Sequence, residues 1–341
     1  MGAYEYIGVD IIKRKIIKQG HNTLTITLPK QWCDKYSIEA GHEIELSEQG
    51  EMLNIIPEKS LKLPDITVDV QGLTPLVIWR YVSSVYRAGY DEFRILFDNP
   101  KIKERYTAFS YNTLDLLYSN ENGKKPVLSP VEVIQLIINR CIGVEIIDQK
   151  ENSCVVKQLG ETSHREFDNA LRRIFLLLLS FSEEINESMK KGERKETLKS
   201  VHLIDTNIDR FTDFCLRVLN KKGYKDFRKT PTMHSILFIL EMIADEFKKI
   251  SIHLMDAKKI TKNTEDLFKV QHDQLRNYYN LFYGFTKEGC LAMYEHDKKG
   301  HTFNVDLFKE LSNDEKEVLH HMKKIGIYIT SLIELRIDLE W

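Results

Sequence analysis

GHNTLTITLPKQWCDKYSIEAGHEIEL, residues 20–46, is the stretch on which the reading of this chain turns. From Thr23 to Leu28 hydroxyl and apolar side chains alternate, the period-two pattern of a half-buried strand. Leu24, Ile26 and Leu28 are expected to face a core. Thr23, Thr25 and Thr27 are expected to face outward, where hydroxyls can bond phosphate or base edges. Pro29 ends the strand and a short helix follows over Lys30–Tyr36. Ile44-x-Leu46 with Leu53-x-Ile55 makes a second hairpin.

Charge is unevenly distributed around this stretch. Residues 1–35 hold Lys13, Arg14, Lys15, Lys18, Lys30 and Lys35 against Glu5, Asp10 and Asp34. Residues 36–60 reverse the sign, with Glu39, Glu43, Glu45, Glu48, Glu51 and Glu58 against Lys59. Clustered cations attract duplex DNA by releasing its counterions. The whole chain carries a formal net charge of −2, so any DNA footprint has to be local.

The order strand, Leu28-Pro29-Lys30, short helix, Gly41-x-x-Ile44-x-Leu46 resembles the AbrB/MazE-type (SpoVT-AbrB) swapped-hairpin domain. The resemblance implies that two chains interleave their hairpins into one small β-barrel whose basic first hairpins bind DNA. It makes Lys13, Arg14, Lys15, Lys18, Thr23, Thr25 and Lys30 the DNA contacts. A hairpin unit that only dimerises is the alternative, because about 45 residues seldom bury a sufficient core alone.

Beyond Pro57–Pro64, which reads as a linker, Ile66-x-Val68-x-Val70 alternates as a strand. Pro75–Ala88 is apolar at helical spacing, with Gly89 as its terminator. Phe93–Phe97 reads as a strand and Glu104–Tyr118 as a helix. Ser129-Pro130-Val131-Glu132 is a capping box with proline at the first helical position. Val144–Ile147 and Cys154–Val156 form a hairpin around residues 150–153. No glycine-rich phosphate loop occurs in this segment.

From His164 onward strand signals vanish. Leu171, Ile174, Leu178 and Phe181 mark one amphipathic helix. Val201, Ile204, Ile208, Phe211, Cys215 and Val218 mark a second. Ile236, Leu240, Ile243, Phe247, Ile250 and Leu254 mark a third, and two long helices follow over about residues 263–297 and 305–338. Short connections between long amphipathic helices specify an antiparallel bundle. The expected fold class is therefore α+β in three parts. These are a dimeric swapped-hairpin barrel over 1–60, a small α+β domain over 61–160, and an all-α bundle over 161–341.

Asp205, Asp209 and Asp213 lie four residues apart and share one helix face, as do Glu241 and Asp245. Like charges at this spacing cost an isolated helix roughly 0.2–0.5 kcal/mol per pair, and a bound cation reverses the sign. Facing carboxylates are how helix bundles hold metals. Arg217 and Lys249 lie four residues beyond Asp213 and Asp245 and can neutralise them, which leaves Asp205, Asp209 and Glu241 as the sharper metal ligands.

Asp205-x-x-x-Asp209 and Leu240-Glu241-Met242-Ile243-Ala244-Asp245 resemble the repeated acidic motif of the PhoU family, with Met242 where that family usually has Arg. Ala170-Leu-Arg-Arg-Ile-Phe-Leu-Leu resembles the opening helix of archaeal PhoU-like proteins, which place an AbrB-like domain before the bundle. The resemblance implies a role in phosphate homeostasis, coupling a phosphate transporter to transcription regulation. It also implies a divalent metal, iron or zinc, held by Asp205, Asp209, Glu241 and Asp245.

Other constellations are weaker. Cys33, Cys141, Cys154, Cys215 and Cys290 form no C-x-x-C pair, so neither a zinc knuckle nor a disulfide framework is supported, and a reducing cytoplasm is the expected location. Met1–Asp10 carries acids and no apolar core of a leader segment. The apolar run Ile174–Leu179 is too short to span a bilayer. His320 and His321 are neighbours on a helix and point apart, so joint ligation is not expected, and His202 is expected to pair with Asp205. Tyr278, Tyr279, Phe282, Tyr283 and Phe285 read as bundle core. The leading expectation is a non-enzymatic, dimeric DNA-binding regulator with the bundle as sensor. The alternative is an adaptor that modulates a phosphate transporter or signalling kinase without touching DNA. A metal-dependent hydrolase on the acidic rows is the third, and it lacks a further acid–base group.

Overall fold

The computed structural model describes residues 12–49, 52–57, 66–98, 128–160, 163–190, 201–257, 259–300 and 311–341. Contacts divide the chain into two compact units, Met1–Leu63 and Pro64–Trp341.

In the first unit β1 (Ile17–Gln19) pairs antiparallel with β2 (Thr23–Thr25), α1 spans Lys30–Lys35, and β3 (Ile44–Gln49) pairs antiparallel with β4 (Met52–Pro57). The two hairpins are separate two-stranded sheets. The expected swapped-hairpin barrel is thus corrected: among the described residues the hairpins stay open and no barrel closes. Leu24 and Ile26, expected to face a core, are 68% and 47% exposed, and Ile17, Leu46 and Leu53 are exposed as well. None of the described residues of this unit is buried. Two-stranded hairpins have one layer and nothing to pack it against, so alternation alone cannot create an inside.

The second unit is mainly helical. Its one sheet is open and has the order β5-β6-β8-β7, made of β5 (Ile66–Asp69), β6 (Glu92–Leu96), β7 (Val144–Gln149) and β8 (Ser153–Gln158). β5 and β6 are parallel and joined by α2 (Pro75–Ala88); the other pairings are antiparallel. α3 (Pro130–Ile138) begins at the expected capping box, where the Glu132 carboxylate accepts from the Ser129 N–H at 2.6 Å. Ile78, Val82 and Tyr86 of α2 and Val133, Ile134 and Ile137 of α3 share one apolar cluster with Val68, Phe93 and Ile95 of the sheet. The helix expected over Glu104–Tyr118 lies outside the described residues.

The bundle comprises α4 (His164–Lys190), α5 (Val201–Lys222), α6 (Thr230–Asp256), α7 (Lys262–Tyr283), α8 (Lys287–Gly300) and α9 (Asn313–Asp338). The helix expected over residues 263–297 is broken at Gly284, leaving α7 and α8 as two elements. Every residue that marked the α6 stripe, from Ile236 to Leu254, is fully buried. Phe175 packs on Tyr278 and Phe282, and Phe181 on Phe247, which joins Phe268. The α+β expectation for the chain is therefore corrected to a mostly helical fold with small open sheets.

Sheet layer and bundle belong to one unit because α5 reaches into the end of α2. Arg217 has no exposed surface. Its guanidinium donates to the carbonyls of Tyr86 at 2.6 Å and Tyr90 at 2.7 Å and to Gln158 Oε1 at 2.6 Å. Asn220 donates to the Arg87 carbonyl at 2.8 Å. The last carbonyls of a helix lack partners within it, and α5 supplies them. Gly89 closes α2 with φ +95°, and Lys221 packs where its Cβ would be, so only glycine fits. Lys221 in turn pairs with Asp91.

Replacing Arg217 by Leu takes the donor from the Tyr90 carbonyl and one of two donors from the Tyr86 carbonyl and from Gln158 Oε1, which keep the Gly89 N–H and Lys221. Urea denaturation of the full chain is expected to show a loss of at least about 3 kcal/mol, whereas Lys157→Leu, at an exposed ion pair with Glu92, stays within about 1 kcal/mol.

Candidate functional site: the acidic row and a histidine–carboxylate cluster

The acidic row lies along the side of α5 that meets α6 and the sheet layer, and cations from three elements meet it. Lys248 of α6 places Nζ 2.8 Å from both Asp205 Oδ2 and Asp245 Oδ1. Arg140, just beyond α3, lies 2.7 Å from Asp209, with its guanidinium 4.2 Å from the centre of the Trp79 ring. Arg87 of α2 lies 2.8 Å from Asp213. The structure therefore gathers Asp205, Asp209, Glu241 and Asp245 between α5 and α6, with side-chain cations already among them.

The partners differ from those the spacing suggested. Arg217 serves carbonyls instead of Asp213, and Lys249 bonds Glu246 at 2.7 Å instead of Asp245. Lys248, three residues beyond Asp245, takes the place expected for Lys249. The side chain of His202 is outside the described ones.

Burial dominates the titration of the row. It lifts Asp205 and Asp209 above the usual carboxylate range, Asp209 further because Asp205 is its neighbour. Burial and then Asp245 push Glu241 up to about 7. Although burial pulls Lys248 down, Asp205 and Asp245 hold it above its ordinary value. Asp205 Oδ1 is buried with no hydrogen-bond partner among the described residues.

A further set of side chains with the chemistry to hold a divalent metal lies elsewhere in the bundle. Among the described residues, the group of three histidine, cysteine or carboxylate donors lying within 4.8 Å of one another is His253, Glu317 and His321. His253 comes from α6, Glu317 and His321 from one face of α9 four residues apart. The two imidazoles stack at 5.6 Å between centroids, 25° from parallel. His321 Nδ1 is 2.5 Å from Glu246 Oε2, and Glu246 is buried and further held by Lys249 and, at 3.7 Å, by Lys324. Despite burial, these donors keep Glu246 below its ordinary value, and burial keeps His321 below its own. A neutral His321 that donates Nδ1–H to Glu246 offers Nε2 to a metal, the carboxylate–histidine arrangement that orients a ligand and raises its basicity. The nitrogen and oxygen donors suit zinc or iron(II).

Weighing His320 and His321 only as a pair hides the carboxylate one turn before them. Glu317-Val-Leu-His320-His321 was the available signal. The third ligand, on α6, had none, since His253 is brought in by packing alone.

Lys13, Arg14, Lys15, Lys18 and Lys30 of the first unit are all exposed, and so is Thr23. Thr25 Oγ1 donates to the Ile17 carbonyl at 3.3 Å across the hairpin. No described helix is long and apolar enough to cross a membrane.

No family model and no curated protein matches this chain. Among solved structures, the phosphate transport system regulatory protein PhoU from Streptococcus pneumoniae is similar over 52% of this chain and 94% of that chain, at 16% identity and a TM-score of 0.43. The identification as an archaeal PhoU-family protein with an AbrB/MazE domain is corrected accordingly: no family is matched and the hairpins form no barrel.

Raised carboxylates weaken the fold as they ionise. The contribution of Glu241 is fully present below its ordinary pKa of 4.5 and is lost as pH rises through about 7. Thermal melts are expected to show stability falling across that window. Glu241→Gln should flatten the fall and gain on the order of 1–3 kcal/mol at pH 8.

Proposed function

We propose that this chain is a non-catalytic regulatory adaptor whose bundle is set by a divalent metal at His253, Glu317 and His321. The observation that carries the reading is the buried Glu246 behind His321. A carboxylate taken out of water to orient one imidazole, beside a second imidazole and a further carboxylate, is the anatomy of a metal ligand and its support. Three protein ligands leave a fourth position of a tetrahedral ion for water or for a side chain of a partner. The ion ties α6 to α9, so its binding changes the stability of the helix pair that spans the bundle.

Attachment falls to the first unit. Ile17, Leu24, Ile26, Leu46 and Leu53 are exposed there, and its sequence is basic before residue 36 and acidic after it. A second copy offers both the apolar cover and the opposite charge, so a homodimer without exchanged hairpins is the arrangement we favour. The partner class implied by the acidic motif is a phosphate transporter or its signalling protein. DNA contact through Lys13, Arg14, Lys15, Lys18, Thr23, Thr25 and Lys30 is the competing use of the same unit.

Metal analysis and calorimetry test the proposal. Full-length protein stripped with chelator should regain one zinc or iron(II) equivalent and melt several degrees higher, since ligand at 100 times Kd adds roughly 2.7 kcal/mol. His253→Ala with His321→Ala should abolish the gain. An equal gain in that double variant would sink the reading. Asp205→Asn with Glu241→Gln should leave it intact; loss there would move the metal to the acidic row.

The competing use has its own readout. An adaptor should show no DNA retardation that depends on Lys13, Arg14, Lys15 and Lys18. If neutralising these four flattens the salt slope by about one unit for each phosphate they no longer engage, DNA binding is established instead.

A further inference from the structure

A cavity of about 490 Å³ opens at the end of the bundle where α4 begins, α6 begins and α9 finishes. That volume lies within the range of small-molecule sites, roughly 300–1,000 Å³. Four cations and two carboxylates line it. Lys225 pairs with Asp168, and Arg336 lies 2.5 Å from Glu340. The other two cations, Arg172 and Lys229, form no ion pair within 4 Å among the described residues. Lys229 donates to the Leu339 carbonyl at 2.6 Å, and its charge also acts on the Asp226 carboxylate, which is paired with Arg228. Arg172 is exposed, with its guanidinium 5.7 Å from the centre of the Tyr283 ring.

We infer that this cavity binds a phosphomonoester that carries an aromatic ring, as nucleoside monophosphates do. Four cations against two carboxylates leave the lining with an excess of positive charge that matches a dianion. A phosphoryl group presents three acceptor oxygens, enough for the planar fork of Arg172 and the point charge of Lys229 together. The remaining wall is aromatic: Tyr224, Phe282 and Tyr283 provide ring surface on which a planar group stacks. An aliphatic dicarboxylate would satisfy the charge and leave that wall uncovered.

The site stands apart from the metal cluster. α6 runs from Thr230, next to Lys229 at the cavity, to His253 at the cluster, 23 residues further on, or roughly 35 Å of helix. Nothing in the inference requires the metal.

Titration calorimetry on the full chain with adenosine 5′-monophosphate tests it, with inorganic phosphate and adenosine as separate titrants. The monophosphate is expected to bind more tightly than either. Arg172→Gln and Lys229→Gln should each weaken it at least about tenfold. Arg172→Lys, which keeps the charge without the fork, should fall between. Neither position is buried, and unchanged melting of the free variants will show that the fold is intact. Absence of binding up to about 1 mM overturns the inference, as do variants of unaltered affinity. Equal affinity for inorganic phosphate removes the aromatic wall from recognition, equal affinity for adenosine removes the cations, and either result overturns it too.

Discussion

A guanidinium with no exposed surface is the constraint on which the second unit depends. Arg217 leaves α5 between a sheet layer and a helix bundle and ends among carbonyls of α2 and the segment after it. A charge in so dry a place is tolerated because three oxygens accept from it, the Tyr86 carbonyl in the last turn of α2, the Tyr90 carbonyl beyond it and Gln158 Oε1, although Nε has no partner among the described residues. The Arg217 bond to the Tyr86 carbonyl offsets part of the cost of ending α2 inside the protein. Burial lowers its pKa, and the ring of Tyr86, 4.9 Å from the guanidinium, closes the remaining side. Gly89 belongs to the same arrangement, because a side chain there would meet Lys221.

The acidic row extends this junction along α5. Asp213 takes Arg87 from α2, Asp209 takes Arg140 from beyond α3, and Asp205 takes Lys248 from α6. Successive turns of one helix thus hold three other elements. Carboxylates that repel one another on an isolated helix become a set of sockets once cations arrive from elsewhere. The supply of cations is incomplete among the described residues, since Glu241 is pushed up to about 7 and one oxygen of Asp205 has no partner there. The junction therefore retains a residual electrostatic strain that grows as the row ionises.

The histidine–carboxylate cluster and the basic cavity lie at opposite ends of the antiparallel pair formed by α6 and α9. Both are built where two or more helices end or cross, and both use side chains that the apolar stripes leave at the margin of the core. His321 is buried because it faces α6, while Glu317, one turn earlier on the same helix, is exposed. That difference suits a site entered from solvent and anchored from within.

Much of the second unit was legible from residue order. The apolar stripes of α4, α5 and α6, the capping box at Ser129, the terminator at Gly89 and the hairpin of β7 and β8 depend on local spacing, and local spacing determines which face of an element is apolar. The alternation from Thr23 to Leu28 followed the same rule and misled, because period two names two faces and says nothing of what covers either. Partner choice was illegible for a related reason. Arg217 and Lys249 sit at the right spacing to neutralise Asp213 and Asp245, yet turn to other groups, and Arg87 and Lys248 take their places. His253 and His321 are 68 residues apart in the chain and meet only because α6 packs against α9. Sequence by itself determined the helices, their apolar faces and the position of the acidic row. Tertiary structure decided which cations answer that row and which donors meet across the bundle, since those distances are set by packing between elements and not by the spacing within one.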